Sequence, residues 1–186
     1  SDQETIDQIG NVIQTLKKLH FLQGICVSTD DSEIADISTH SGAVTLDFRS
    51  SELSGDDATF QDLVRWDIPR YLDHFGVEVN QAYILFVIAT AALVTVELYQ
   101  KAYELFQSNQ SSVLVATINY PTSPFWALTQ RAPGQWVPLF PDKIDVRSQN
   151  LPRTQVDAGL FYYLKFAKVR TLNHSWMKQE NGVLCF

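Results

Sequence analysis

Two arginines and a few carboxylates are the residues through which this chain could do charge-based chemistry. Arg49 opens the run Arg49-Ser50-Ser51-Glu52-Leu53-Ser54-Gly55-Asp56-Asp57-Ala58-Thr59, and Arg147 opens Arg147-Ser148-Gln149-Asn150-Leu151-Pro152. A guanidinium donates two parallel hydrogen bonds, which suits a carboxylate or a phosphate. Each arginine is thus a candidate for a ligand cleft and equally an ordinary surface residue. Asp30 and Asp31 could help to hold a metal, but carboxylates just ahead of a helix cap its free N–H groups and favour its dipole, and that structural role is the reading adopted. Asp56 and Asp57 read as a solvated loop. Asp157 lies five residues before Tyr162, and the run Phe161-Tyr162-Tyr163 suits a core better than a site. His20, His40, His74 and His174 have no tight ligand spacing with one another or with Cys26 and Cys185, so no zinc site is expected. Two cysteines make no disulfide framework and read as free thiols.

These side chains need a scaffold, and the hydrophobic period supplies one. Residues 4–20 carry Ile6, Ile9, Val12, Ile13, Leu16 and Leu19 at three- and four-residue steps, which predicts an amphipathic helix. Residues 24–29 are short, apolar and β-branched, hence a strand, and they run into a helix capped by Asp30-Asp31-Ser32 that reaches about His40. Residues 43–46 predict a second short strand, 50–57 a polar loop and 59–75 a helix. Residues 82–88 are apolar on both faces, as a central strand covered on two sides would be. A helix over 96–107 and a strand over 112–118 follow. Strands alternating with helices imply parallel crossovers and a three-layer α/β domain. Six of the seven prolines then fall between Pro121 and Pro152. That stretch reads as hairpins or an extended arm, with regular structure resuming over 156–164. Trp126, Trp136 and Phe140 on it could stack a base, but aromatics on an arm more often anchor a partner subunit.

At 186 residues the chain fits a single domain. Its composition, 45% hydrophobic and 19% charged, is that of a globular protein. With a formal net charge of −7 it offers no cationic field for a phosphate backbone, so nucleic acid is disfavoured as a partner, although a local basic pocket survives that argument. The acidic, polar start lacks a signal-peptide pattern, and the charge-free run over 82–96 falls short of the ~20 residues a membrane span needs. No membrane association and a cytoplasmic location are expected.

Four segments in register carry a resemblance. They are Val27-Ser28-Thr29-Asp30-Asp31-Ser32-Glu33-Ile34-Ala35, the two arginine-led runs quoted above, and Asp157-Ala158-Gly159-Leu160-Phe161-Tyr162. Over roughly residues 19–163 their order and spacing resemble the cytidylyltransferases that activate nine-carbon sugar acids, the CMP-sialic acid synthetases, and most closely the CMP-pseudaminic acid branch. Ala89-Thr90-Ala91 is similar to that branch's sugar-site turn. The resemblance implies a Rossmann-like fold of the nucleotide-diphospho-sugar transferase type, a proline-rich dimerisation arm at 119–155, and a homodimer. It implies that Arg49, Ala58 and Thr59 face the cytidine, and that Thr90, Ala91, Arg147, Gln149, Asp157 and Tyr162 face the sugar, with Arg147 on its carboxylate. Cytidine nucleotide and an acidic sugar are the implied small-molecule partners, and magnesium is the cofactor expected of the family. The family's opening strand with its basic, Gly-rich triphosphate loop, and its later Asp-x-Asp metal motif, have no counterpart among these residues. The expectation is therefore a truncated cytidylyltransferase-like protein that does not catalyse alone and lacks metal ligands. The alternative is a non-enzymatic interaction or ligand-binding module that reuses the fold.

Overall fold

The structure is a computed structural model that describes residues 3–47, 49–50, 59–172, 175–178 and 183–186. In chain order its elements are α1 (Gln3–Leu16), α2 (Ser32–His40), α3 (Phe60–Asp62), a π-helical turn (Leu63–Asp67), α4 (Ile68–His74), β1 (Tyr83–Val87) and α5 (Val96–Ser108). These are followed by β2 (Val113–Asn119), β3 (Leu128–Ala132), β4 (Gln135–Pro138), β5 (Gln155–Lys165), α6 (Phe166–Val169) and β6 (Leu184–Cys185). The chain divides into two compact units, Ser1–Ala116 with Gly159–Phe186, and Thr117–Ala158. Among the described residues no helix is long and apolar enough to cross a membrane.

The first unit is built on a mixed sheet of strand order β1-β5-β2-β6. β1 runs antiparallel to β5, with Tyr83 opposite Lys165 and Val87 opposite Phe161. β2 runs parallel to β6, with Leu114 opposite Leu184. This corrects two expectations. The strand expected at the centre, β1, stands at the end of the order, and its neighbour is antiparallel. The cause is non-local: β5, reached only after the proline-rich segment, inserts between β1 and β2, so strands adjacent in sequence are not adjacent in space. β1 is apolar on both faces because the sheet is covered on both faces, even at its edge.

The side chains of β5 show how that covering works. Phe161 and Tyr163 point into one core with Val12 and Leu16 of α1, Tyr99, Ala102 and Phe106 of α5, and Leu114 and Ala116 of β2. Tyr162 and Leu164 point into the other with Val64, Leu72, Val113, Val115, Phe166, Val169 and Trp176. The two-residue period of a strand thus feeds two cores. Tyr163 donates its hydroxyl to the Tyr99 carbonyl at 2.8 Å, which lets a polar atom enter the first core without penalty.

Two local features set the positions discussed next. The strands expected over 24–29 and 43–46 reduce to one parallel bridge, Cys26 with Val44. The helix expected over 59–75 contains a π turn, in which Ile68 N–H reaches the Leu63 carbonyl. Pro69 explains it: proline brings no N–H to the ladder and crowds the carbonyl four residues back, and one wider turn relieves that crowding.

The second unit holds the β3–β4 hairpin, in register from Leu128 opposite Pro138 to Ala132 opposite Gln135, with an irregularity between Gln130 and Ala132. Gly134 supplies the positive φ of +77° that its turn requires. Phe125 and Phe140 meet edge to face at 5.4 Å, and the Trp126 indole N–H donates to the Val146 carbonyl at 3.1 Å.

Burial pushes the phenols of Tyr71 and Tyr99 up to about 12 and that of Tyr163 higher still. An unfolded tyrosine loses its proton near pH 10. Above that pH the unfolded chain binds fewer protons than the folded one, so stability is full below about pH 10 and falls from there towards pH 12. Urea midpoints measured from pH 8 to 11.5 are expected to hold and then drop above pH 10, with the tyrosinate absorbance of these three residues appearing only as the protein unfolds.

Candidate functional site

Arg49 owes its position to main-chain pairing. Val44 N–H donates to the Ile25 carbonyl at 2.8 Å, Val27 N–H to the Val44 carbonyl at 2.9 Å, and Arg49 N–H to the Thr29 carbonyl at 2.9 Å. Two short extended segments therefore run side by side and bring Arg49 next to Asp30. Its Nη2 stands 3.4 Å from Asp30 Oδ1, with the side chains 22% and 52% exposed. Such a pair is worth little in stability because water screens it, yet it holds the guanidinium at a defined place on the surface.

Asp31 has a different role. Its Oδ1 accepts from Glu33 N–H at 2.8 Å and from Ile34 N–H at 3.1 Å, which caps α2. The Ile34 N–H, with that of Glu33, holds its carboxyl below the usual carboxylate range. The Thr29 hydroxyl accepts from Asp31 N–H at 3.1 Å and fixes the approach to the cap. Capping, the role the sequence favoured, is the role Asp31 plays.

Thr59 begins α3 through a capping box, its hydroxyl accepting from Asp62 N–H while its own N–H donates to Asp62 Oδ2 at 2.9 Å. That hydroxyl also donates to Asp62 Oδ2 at 2.6 Å. Any ligand contact of Thr59 would compete with these bonds. Ala58 lies outside the described residues.

Thr90 and Ala91 follow β1 in a turn closed by Ala91 N–H on the Ile88 carbonyl at 2.9 Å. Thr90 is exposed at its tip, whereas the Ala91 methyl is buried in the core beside α5, so only the main chain of Ala91 can meet a ligand. Tyr162 is buried in the second core at 2% exposure, its ring 5.4 Å from that of Trp176. The aromatic run over 161–163 is therefore packing for the sheet. Arg147, Gln149 and Asp157 belong to the second unit and are exposed there. Arg147 precedes a single 3-10 turn, Ser148–Asn150, whose Asn150 N–H donates to its carbonyl at 2.9 Å.

Among the described residues the carboxylates do not gather into a magnesium site. Asp30 faces a guanidinium and Asp31 caps a helix, and among the described residues no three of His, Cys, Asp and Glu come together in a way that could hold a metal.

Sequence reasoning missed Asp67 and Arg70. The carboxylate of Asp67 is buried and accepts from Arg70 Nη1 at 3.0 Å. Their three-residue helical spacing was a signal, but a charge at a core position reads as a register error until its partner is seen.

The family described as Cytidylyltransferase matches residues 9–128, well over half of the chain. Two pseudaminic acid cytidylyltransferases of Campylobacter jejuni, from serotypes O:2 and O:23/36, are 31% and 32% identical to it over 144 residues, which is 75% of this chain and 59% of each relative. The chain thus spans 59% of the length of the relatives it matches. Members of this family generally use magnesium. Arg49 with its paired segments, the capped α2, and the turn bearing Thr90 all fall inside the matched residues, and on that match the chain belongs to the cytidylyltransferase family.

Proposed function

We propose that this chain carries the cytidine-facing and sugar-facing parts of a nucleotidyltransferase that joins CMP to a nine-carbon sugar acid, on a Rossmann-like fold of the nucleotide-diphospho-sugar transferase type. The observation that carries the reading is Arg49, held by main-chain bonds beside Thr29 and Asp30 within the residues that match the family. The names of the two relatives support pseudaminic acid as the sugar class.

In such a reaction the sugar's anomeric hydroxyl attacks the α-phosphate of CTP and pyrophosphate leaves. The protein's part is to hold the reactants in line and to meet the developing charge. Arg49 offers guanidinium N–H donors to the cytosine. Ala58 and Thr59 are the further cytidine-facing residues of this reading, Thr90 with the Ala91 main chain meets the sugar, and Tyr162 supports that region from the core. In the second unit, taken by itself, Arg147 offers a guanidinium suited to a carboxylate, with Gln149 and Asp157 on the same segment. These 186 residues contain no Gly-rich basic loop and no Asp-x-Asp motif. Among the described residues no carboxylate cluster stands ready for a magnesium ion. The second unit leaves Ile118, Tyr120, Trp126, Leu128, Trp136, Leu139 and Phe140 at least 36% exposed. That surface supports a homodimer formed through this arm.

Three outcomes are expected. In calorimetric titration CMP binds weakly, at about millimolar Kd, because base contacts without phosphate contacts leave little net affinity. Arg49→Ala abolishes the heat. The absence of any cytidine nucleotide binding by the parent chain would favour the interaction-module reading. Incubated with CTP, magnesium and pseudaminic or N-acetylneuraminic acid, the chain alone releases pyrophosphate far below one turnover per second, since one missing charge-stabilising donor already costs about 10²–10³ in rate. Light scattering at micromolar concentration returns twice the 21.1 kDa chain mass, with an interface above ~1,000 Å²; a monomer would refute the arm's role.

A further inference from the structure

We infer that Asp67 and Arg70 are positioning residues for Arg49, clamping its segment from the helix behind it. The inference rests on the reading that Arg49 faces the cytidine, and it adds two residues to that site.

The geometry is a short relay. Asp67, 2% exposed, closes the π turn. Its Oδ1 accepts from Arg70 Nη1 at 3.0 Å. Arg70 Nη2 donates to the main-chain carbonyl of Asp47 at 3.2 Å, two residues before Arg49. Arg70 also stands 3.9 Å from the Asp47 carboxylate, which is fully exposed and so adds little. One residue further along α4, the Tyr71 hydroxyl donates to the Val27 carbonyl at 2.9 Å. Consecutive side chains of α4 thus grip both extended segments, one at Val27 and one at Asp47.

A carboxylate buried in an apolar setting needs a partner to be tolerated, and a guanidinium fork can serve two acceptors at once. Asp67 fixes one nitrogen of Arg70, which leaves the other aimed at the Asp47 carbonyl. Without the clamp, the segment keeps its bonds to Ile25, Val27 and Thr29 and the bond of Leu46 N–H to the Tyr71 hydroxyl, but loses the tie at Asp47 that lies nearest to Arg49. The Arg49 guanidinium then samples a wider range of positions, and a ligand must pay the ordering cost on binding.

The test combines hydrogen exchange with titration. In Arg70→Ala the Arg49 amide, which bonds to Thr29, is expected to exchange about 10-fold faster, as loss of a charged hydrogen bond implies, while the amides of β2 and β5 keep their rates. CMP affinity is expected to fall by a similar factor. Because removing Arg70 alone strands the buried Asp67 charge, the double variant Asp67→Asn with Arg70→Ala is measured alongside, and it should show the same local effect with a smaller loss of thermal stability. An unchanged Arg49 amide in both variants would overturn the inference, as would exchange that rises equally across β2 and β5, since Arg70 would then be merely structural. If CMP fails to bind the parent chain but Arg49 exchange still responds, the clamp stands and the cytidine reading falls. If CMP binds and depends on Arg49 but ignores Arg70, the cytidine reading stands and the clamp falls.

Discussion

The burial of β5 on both faces and its pairing on both edges is the constraint from which the rest of the first unit follows. Phe161 and Tyr163 need one helical layer and Tyr162 and Leu164 need another, so α1 and α5 collect on one side and α4 and α6 on the other. A strand enclosed in this way cannot shift by one residue, because every side chain would exchange cores. That rigidity holds the Thr90 turn through β1 and fixes the helix from which Asp67 and Arg70 reach back.

Polar groups at the site are placed by equally specific local solutions. Among the described residues the segment carrying Arg49 is no regular strand: main-chain bonds tie it to residues 25–29, Arg70 holds it at Asp47, and Tyr71 holds its neighbour at Val27. Asp31 and Thr59, each with an extended backbone of its own, begin a helix, and both use the side chain to satisfy N–H groups that the helix leaves open. Residues that look like ligand donors in sequence are, at these two places, first of all helix caps.

Helix existence was legible because it is local. The stripe from Ile6 to Leu16 and the cap at Asp31 needed no distant partner. Strand partners were not legible. Nothing near Ala82 announces that residues 155–165 will insert beside it, and that single long-range event turned an expected central, parallel strand into an antiparallel one at the end of the order. The π turn was hidden for another reason: Pro69 can break, kink or widen a helix, and packing decides which. At the site, flanking residues singled out Arg49 as a candidate, whereas its place beside Thr29 and Asp30 was not readable, and neither was the Asp67–Arg70 relay, since its worth lies in the Asp47 carbonyl it meets across 23 residues. Tyr162 shows the opposite hazard. Its family position suggested a ligand contact, but the sheet is covered on both faces, and its ring lies in the core opposite to that of Phe161 and Tyr163.

Electrostatics limits what Arg49 can recognise. Its guanidinium already faces Asp30 at 3.4 Å, and the chain as a whole carries a net charge of −7. A polyphosphate drawn to this spot would meet a half-neutralised cation beside a carboxylate, in a field of its own sign. A neutral base edge meets no such repulsion. It can accept from a guanidinium whose orientation is set by Asp30, and that orientation confers specificity while adding little affinity. On the proposed reading, the same pair that makes Arg49 a poor phosphate anchor suits it to a neutral base edge.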